Sequence, residues 1–197
     1  MRFKLFGTEF YISFLFSAVI TAMLAFDRTG YALPLIFAVV MHEGGHLLAM
    51  AVCGANPERI TFYGGGIALS KSGMESLTDA KRLVILSAGC SVNLLVAAAC
   101  FAMQGNDTAA VFGAVNLIIC IFNALPIGYF DGAEVLELLL TGFVSLRTAE
   151  KVKKIIGTAL ALIITAGVIV YCVMCGESVS LSLFFVVLFL IQAQLVS

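Results

Sequence analysis

Charge is what this chain has least of. Lys, Arg, Asp and Glu make up 12% of its 197 residues, against 61% hydrophobic residues, and the net charge is −1. A balance so near zero offers no footprint for nucleic acid, which needs a clustered positive face. So little polarity also excludes a soluble domain of this size, which could not hide that much apolar surface. Cysteine is present but not in a disulfide pattern: Cys53, Cys90, Cys100, Cys120, Cys172 and Cys175 fall almost entirely in apolar runs, where a thiol behaves as a small hydrophobe. Cys172 and Cys175 form a lone C-x-x-C pair with no second half. Histidine occurs twice only. No convincing small-residue cleavage site precedes Asp27, so the first apolar run reads as a retained helix rather than a signal peptide.

The charges that exist leave long gaps. Glu9 to Asp27, Arg82 to Asp107, Asp107 to Asp131, Lys154 to Glu177 and Glu177 to the end each enclose 17 to 24 uncharged residues. A spanning helix needs about 20 apolar residues. The expected fold is therefore an all-α membrane protein of about six transmembrane helices, near 10–26, 33–53, 83–103, 109–126, 156–175 and 180–196, forming one integral-membrane domain over 1–197 with no appended soluble domain. Orientation follows the basic residues. Six spans put both termini on the side of the loops 54–82 and 127–155. That side holds Arg2, Lys4, Arg59, Lys71, Lys81, Arg82, Arg147, Lys151, Lys153 and Lys154, and the other holds Arg28 alone. A multi-pass cell-membrane protein with both termini cytoplasmic is expected.

Against this background His42-Glu43-Gly44-Gly45-His46 stands out, inside the apolar run from Tyr31 to Val52. Ionisable side chains at membrane depth are costly and mark function by default. Residues i and i+4 share a helix face, so His42 and His46 can offer two ring nitrogens to one metal ion. Glu43, one step round, can reach a metal-activated water without being a ligand. His42 lies roughly 13 Å along the helix from Leu33 at 1.5 Å per residue, near the midplane. Gly44 and Gly45 weaken a helix by about 1 kcal/mol each relative to alanine. Their space serves either a functional neighbour or ordinary small-residue packing with Ala49.

Three further stretches bear on that pair. Arg59–Tyr63 and Ile67–Lys71 alternate in the strand manner around Gly64, Gly65 and Gly66, which predicts a membrane-associated β-hairpin between the second and third helices. Its edge could pair with an extended peptide. In the third span Asn93 either bonds across helices or orients a ligand. At the end of the fourth span, Phe122-Asn-Ala-Leu-Pro-Ile-Gly-Tyr-Phe-Asp-Gly132 cannot continue as regular helix, and unwound backbone at membrane depth must be buried or line a wet cavity. Asp131 is either the N-cap of a short helix beginning near Ala133 or a third ligand turned back toward the histidines. With two metal-type histidines and no third in the chain, the ligand reading is preferred.

In order along 33–140, His42-Glu43-x-x-His46, the glycine-rich hairpin, Gly89 with Asn93, and Asn123-x-x-Pro126-x-x-x-x-Asp131-Gly132 resemble the site-2 protease family of intramembrane zinc metalloproteases, in particular its small six-helix bacterial branch. The resemblance implies one Zn2+ per chain held by His42, His46 and Asp131, with Glu43 as catalytic base. It also implies substrate contacts from Asn123 and the hairpin. Asn93, Pro126, Gly64, Gly65 and Gly66 complete the candidate substrate-binding set. Cys90 and Tyr129 stand where the family often has proline. The expected substrate is a membrane-embedded or membrane-associated protein in the lipid bilayer, with room for a regulatory membrane partner. A metal-ion permease or non-catalytic zinc-binding membrane protein is the alternative, since transport sites also use intramembrane His and Asp.

Overall fold

The structure, a computed structural model, describes residues 2–5, 8–55, 59–63, 66–69, 74 and 76–175. Two compact units divide the chain, Met1–Cys120 and Ile121–Ser197.

The first unit opens with two strands, β1 (Arg2–Leu5) and β2 (Thr8–Ile12), before α1 (Phe14–Phe26) and α2 (Ala32–Cys53). Then come β3 (Arg59–Tyr63), β4 (Gly66–Leu69), α3 (Asp79–Ala102) and the greater part of α4 (Asp107–Ala124). The expected hairpin is present as β3 and β4, with Tyr63 opposite Gly66. Gly66 thus belongs to a strand, and Gly64 and Gly65 lie outside the described residues. The sheet is larger than expected. Its order is β1-β2-β3-β4, with β2 and β3 parallel and the outer pairs antiparallel. The parallel pairing brings the chain back beside its own N-terminal strands after α1 and α2. Segments 1–9 and 54–82, expected on one side of the membrane, thereby share a sheet.

That sheet corrects the first expected span. Residues 10–12 belong to β2, and α1 has 13 residues, about 20 Å of helix against a hydrocarbon core of about 30 Å. Ser13 caps α1 by accepting from the Phe16 amide at 3.1 Å, which stops the helix from reaching back into Tyr11 and Ile12. At the other end the Asp27 carboxylate accepts from the amides of Thr29, Gly30 and Ala32, each at 2.9 Å, and from the Thr29 hydroxyl at 2.7 Å. These bonds, led by that of Ala32, lower its pKa to about 2. Among the described residues four helices are long and apolar enough to cross a membrane: α2, α3, α4 and the helical stretch Leu146–Tyr171. The span expected at 180–196 lies outside the described residues. Large apolar side chains such as Leu33, Phe37, Leu48 and Val52 on α2 face outward, which suits lipid rather than water.

In the second unit the break expected at Pro126 is present. Helix α4 stops at Ala124 and α5 (Asp131–Thr141) begins after it, with Gly128 at φ 59 between them. Ile127 is fully buried and packs with Phe130 and Ala161. A Cβ on Gly132 would fall 2.1 Å from the Ala124 carbonyl oxygen. Only glycine therefore lets α5 start pressed against the chain it has just left. Helix α6 (Leu146–Cys175) begins ten residues before the expected 156, where the Ser145 hydroxyl engages Thr148 at its N-terminus. Its early turns carry the basic residues, and one of these is not a solvated anchor: Lys153 donates to Glu137 of α5, both being largely buried.

Candidate metal centre

Helix α2 buries Ala38, His42, Gly45, His46 and Met50, the face expected of an i, i+4 series. Helix α3 answers with Ile85, Leu86, Gly89, Asn93 and Ala97. The two helices lie close enough that a Cβ on Gly45 would meet the Ala88 carbonyl oxygen at 2.8 Å. Gly45 is thus a packing glycine, whereas a Cβ on Gly44 would have nothing within 4 Å. Glu43 is half-buried on α2 between the two histidines in sequence.

The imidazoles are nearly dry, His42 at 3% and His46 at 6% exposure. His46 Nδ1 lies 2.7 Å from the Ile85 carbonyl oxygen, which can only accept, so Nδ1 carries the proton. His42 Nδ1 lies 2.7 Å from Asn93 Oδ1. Asn93 is oriented by its other partners: Nδ2 donates to the Ala38 carbonyl oxygen at 3.0 Å and to Asn116 Oδ1 at 2.8 Å. Its oxygen must then face His42, whose Nδ1 must donate. These tautomers follow from the hydrogen-bond network. Both Nε2 lone pairs are left turned inward, 3.2 Å apart, with the rings at 80°. Two nitrogens at zinc bonding distance in a tetrahedral site would be about 3.3 Å apart, so the pair fits that metal. Gly89 forms the wall beside it: a Cβ there would lie 2.4 Å from His46 Nε2 and 2.8 Å from His42 Nε2.

Asp131 is the first residue of α5, and the N-cap is Phe130, which makes no side-chain cap bond. Asp131 is half-buried at the start of α5, in the second unit. Of the substrate candidates, Asn93 is fully buried behind His42, Asn123 is half-buried in the last turn of α4, and Pro126 is half-buried in the break. The residue that sequence reasoning missed is Asn116, fully buried on α4. The signal was available in principle, because an amide within an apolar span needs a partner just as Asn93 does.

A family model described as Peptidase family M50 matches residues 106–167, which include Asn116, Asn123, Pro126 and Asp131 but not the two histidines. No match is found among curated proteins. Among solved structures the chain is similar to the Site-2 Protease from Methanocaldococcus jannaschii, at 22% identity and a TM-score of 0.66, over 98% of this chain and 93% of that one. At that identity the likeness is one of fold.

Proposed function

We propose, on the premise of a likeness to the site-2 protease family that the M50 match and the shared fold bear out, that this chain is an intramembrane zinc metalloprotease. Its substrates are membrane-embedded or membrane-associated proteins. The observation that carries the reading is the pair of inward-facing Nε2 atoms, 3.2 Å apart, each imidazole held from behind by an acceptor. His42 and His46 would hold the ion with Asp131 as third ligand. A zinc ion held by these residues would supply a water of pKa about 7 and a Lewis acid for the scissile carbonyl. Glu43 takes the proton from the attacking water and returns it to the leaving amine. Burial of both rings excludes bulk solvent and strengthens electrostatic contacts within the site.

A substrate helix hides its peptide bonds, and unpaired backbone groups in lipid cost several kcal/mol each. Among the described residues β4 is the last strand of the sheet, so an unwound substrate can pair along its outer edge and recover those bonds. Asn123 and Pro126 serve as further substrate contacts in this reading, and both termini lie in the cytoplasm.

Metal analysis and cleavage of single-span candidate substrates test the proposal together. Purified Glu43→Gln is expected to keep its zinc and lose cleavage; hydrolysis at the wild-type rate removes Glu43 as the base. Asp131→Asn is expected to lower zinc affinity, and unchanged affinity takes Asp131 out of the ligand set.

A further inference from the structure

The structure assigns a positioning role to Asn116: acting through Asn93, it fixes the orientation of His42 and so its affinity for metal. This inference rests on the zinc-site reading above and adds a residue on a third helix to it.

Three helices contribute in turn. Asn116 Nδ2 donates to the Phe112 carbonyl oxygen at 2.9 Å, one turn back on α4. A carbonyl can only accept, so this bond decides which end of the Asn116 amide faces Asn93. Asn116 Oδ1 then accepts from Asn93 Nδ2 at 2.8 Å. Asn93 uses its second N–H on the Ala38 carbonyl oxygen of α2, and its own oxygen accepts from His42 Nδ1. Every N–H of the Asn93 amide is engaged, and both amides are fully buried.

Asn116 reaches Asn93 because α4 approaches α3 closely. A Cβ on Gly113, one turn before Asn116, would meet Cys100 Cβ at 3.0 Å and the Ala97 carbonyl oxygen at 3.3 Å. Gly113 and Asn116 are the buried residues of α4, so this helix presents to α3 a gap for close approach and an amide to fill it. Without Asn116, one buried N–H of Asn93 loses its acceptor, and the amide is free to tilt about its remaining bonds. His42 Nε2 then loses its aim. Direct hydrogen-bond partners of metal-binding histidines change metal affinity about 10- to 100-fold, and Asn116, one bond further out, falls at the lower end.

Zinc affinity of the purified full-length protein, measured by chelator competition, is the readout, with melting of the metal-free protein as control. Asn116→Leu is expected to bind zinc about tenfold more weakly. Asn116→Asp is isosteric; kept neutral by burial, its hydroxyl replaces Nδ2 as donor to the Phe112 carbonyl and its other oxygen faces Asn93, so it is expected to restore wild-type affinity. The double variant with Asn93→Leu is expected to bind zinc no more weakly than Asn93→Leu alone, because one residue works through the other. Wild-type affinity in Asn116→Leu, or losses that add fully in the double variant, overturn the assignment while leaving the protease reading intact. If Asn116→Leu does not fold, Asn116→Ala takes its place with the same expectation and the same refutation. A wild-type protein that binds no zinc overturns the protease reading and this inference together.

Discussion

Gly89→Ala is the most demanding test of the site. The added methyl would lie 2.4 Å from His46 Nε2, 2.7 Å from His42 Cε1 and 2.8 Å from His42 Nε2. Ordinary carbon contacts need about 3.5 Å or more, so roughly 1 Å of clearance has to be found. The rings cannot readily retreat, because each Nδ1 is held at 2.7 Å by an acceptor on α3 itself. Either those hydrogen bonds break or α2 and α3 move apart, and Gly45 against Ala88 shows how little slack separates them. Overpacking of this kind costs about 1–3 kcal/mol of stability. The larger effect falls on the ligand atoms, since a 1 Å misplacement can cost about 100-fold in rate. Gly89→Ala is therefore expected to lose most of its zinc and at least about 100-fold in cleavage, with a modest fall in melting temperature. Gly44→Ala is the matched control on α2. Its Cβ meets nothing within 4 Å, so it is expected to keep its zinc and gain up to about 1 kcal/mol from helix propensity. Zinc content and melting temperature in detergent, measured side by side, decide the matter. If Gly89→Ala held zinc and cleaved as the wild type does, the two imidazoles would not be placed as described.

Other substitutions probe separate parts of the structure. Gly132→Ala drives a methyl into the Ala124 carbonyl; loss of protease resistance around residues 125–141 is expected, and an unchanged digestion pattern would contradict the close contact. Lys153→Met leaves Glu137 without its cation in a largely buried setting and is expected to lower stability by about 1–3 kcal/mol, between the values for exposed and buried pairs; thermal melting checks it. At the α1–α2 turn, the folded pKa of Asp27 is about 2, below the value of about 3.9 for an unfolded chain. Its contribution to stability is thus complete above pH 4 and is lost as pH falls toward 2. The melting difference between wild type and Asp27→Ala should shrink over that window, and a difference independent of pH would exclude the ionised carboxylate as the cause.

Helical spacing, apolar run length and turn chemistry are local properties, and they determined much of this protein from sequence alone. The i, i+4 interval between His42 and His46 places both rings on one face of α2 without any knowledge of neighbours. Pro126 and Gly128 end α4 whatever packs around them, and a glycine-rich stretch between alternating segments makes a hairpin. The resemblance that these motifs carry led to the same family as the match over residues 106–167. Other features depended on partners distant in the chain. Phe10, Tyr11 and Ile12 could have continued the apolar run of α1, because a short apolar stretch suits helix and strand alike; pairing with residues 60–62 makes them a strand. Gly89 reads as one small residue among many until α3 is laid against the two imidazoles. Asn116, an amide within an apolar span, signals in sequence that it needs a partner but not which one. Only the closeness of three helices, packed on one another through Gly45, Gly89 and Gly113, turns its amide into the last support behind His42. A buried polar group must find a partner, but sequence separation says nothing of which one.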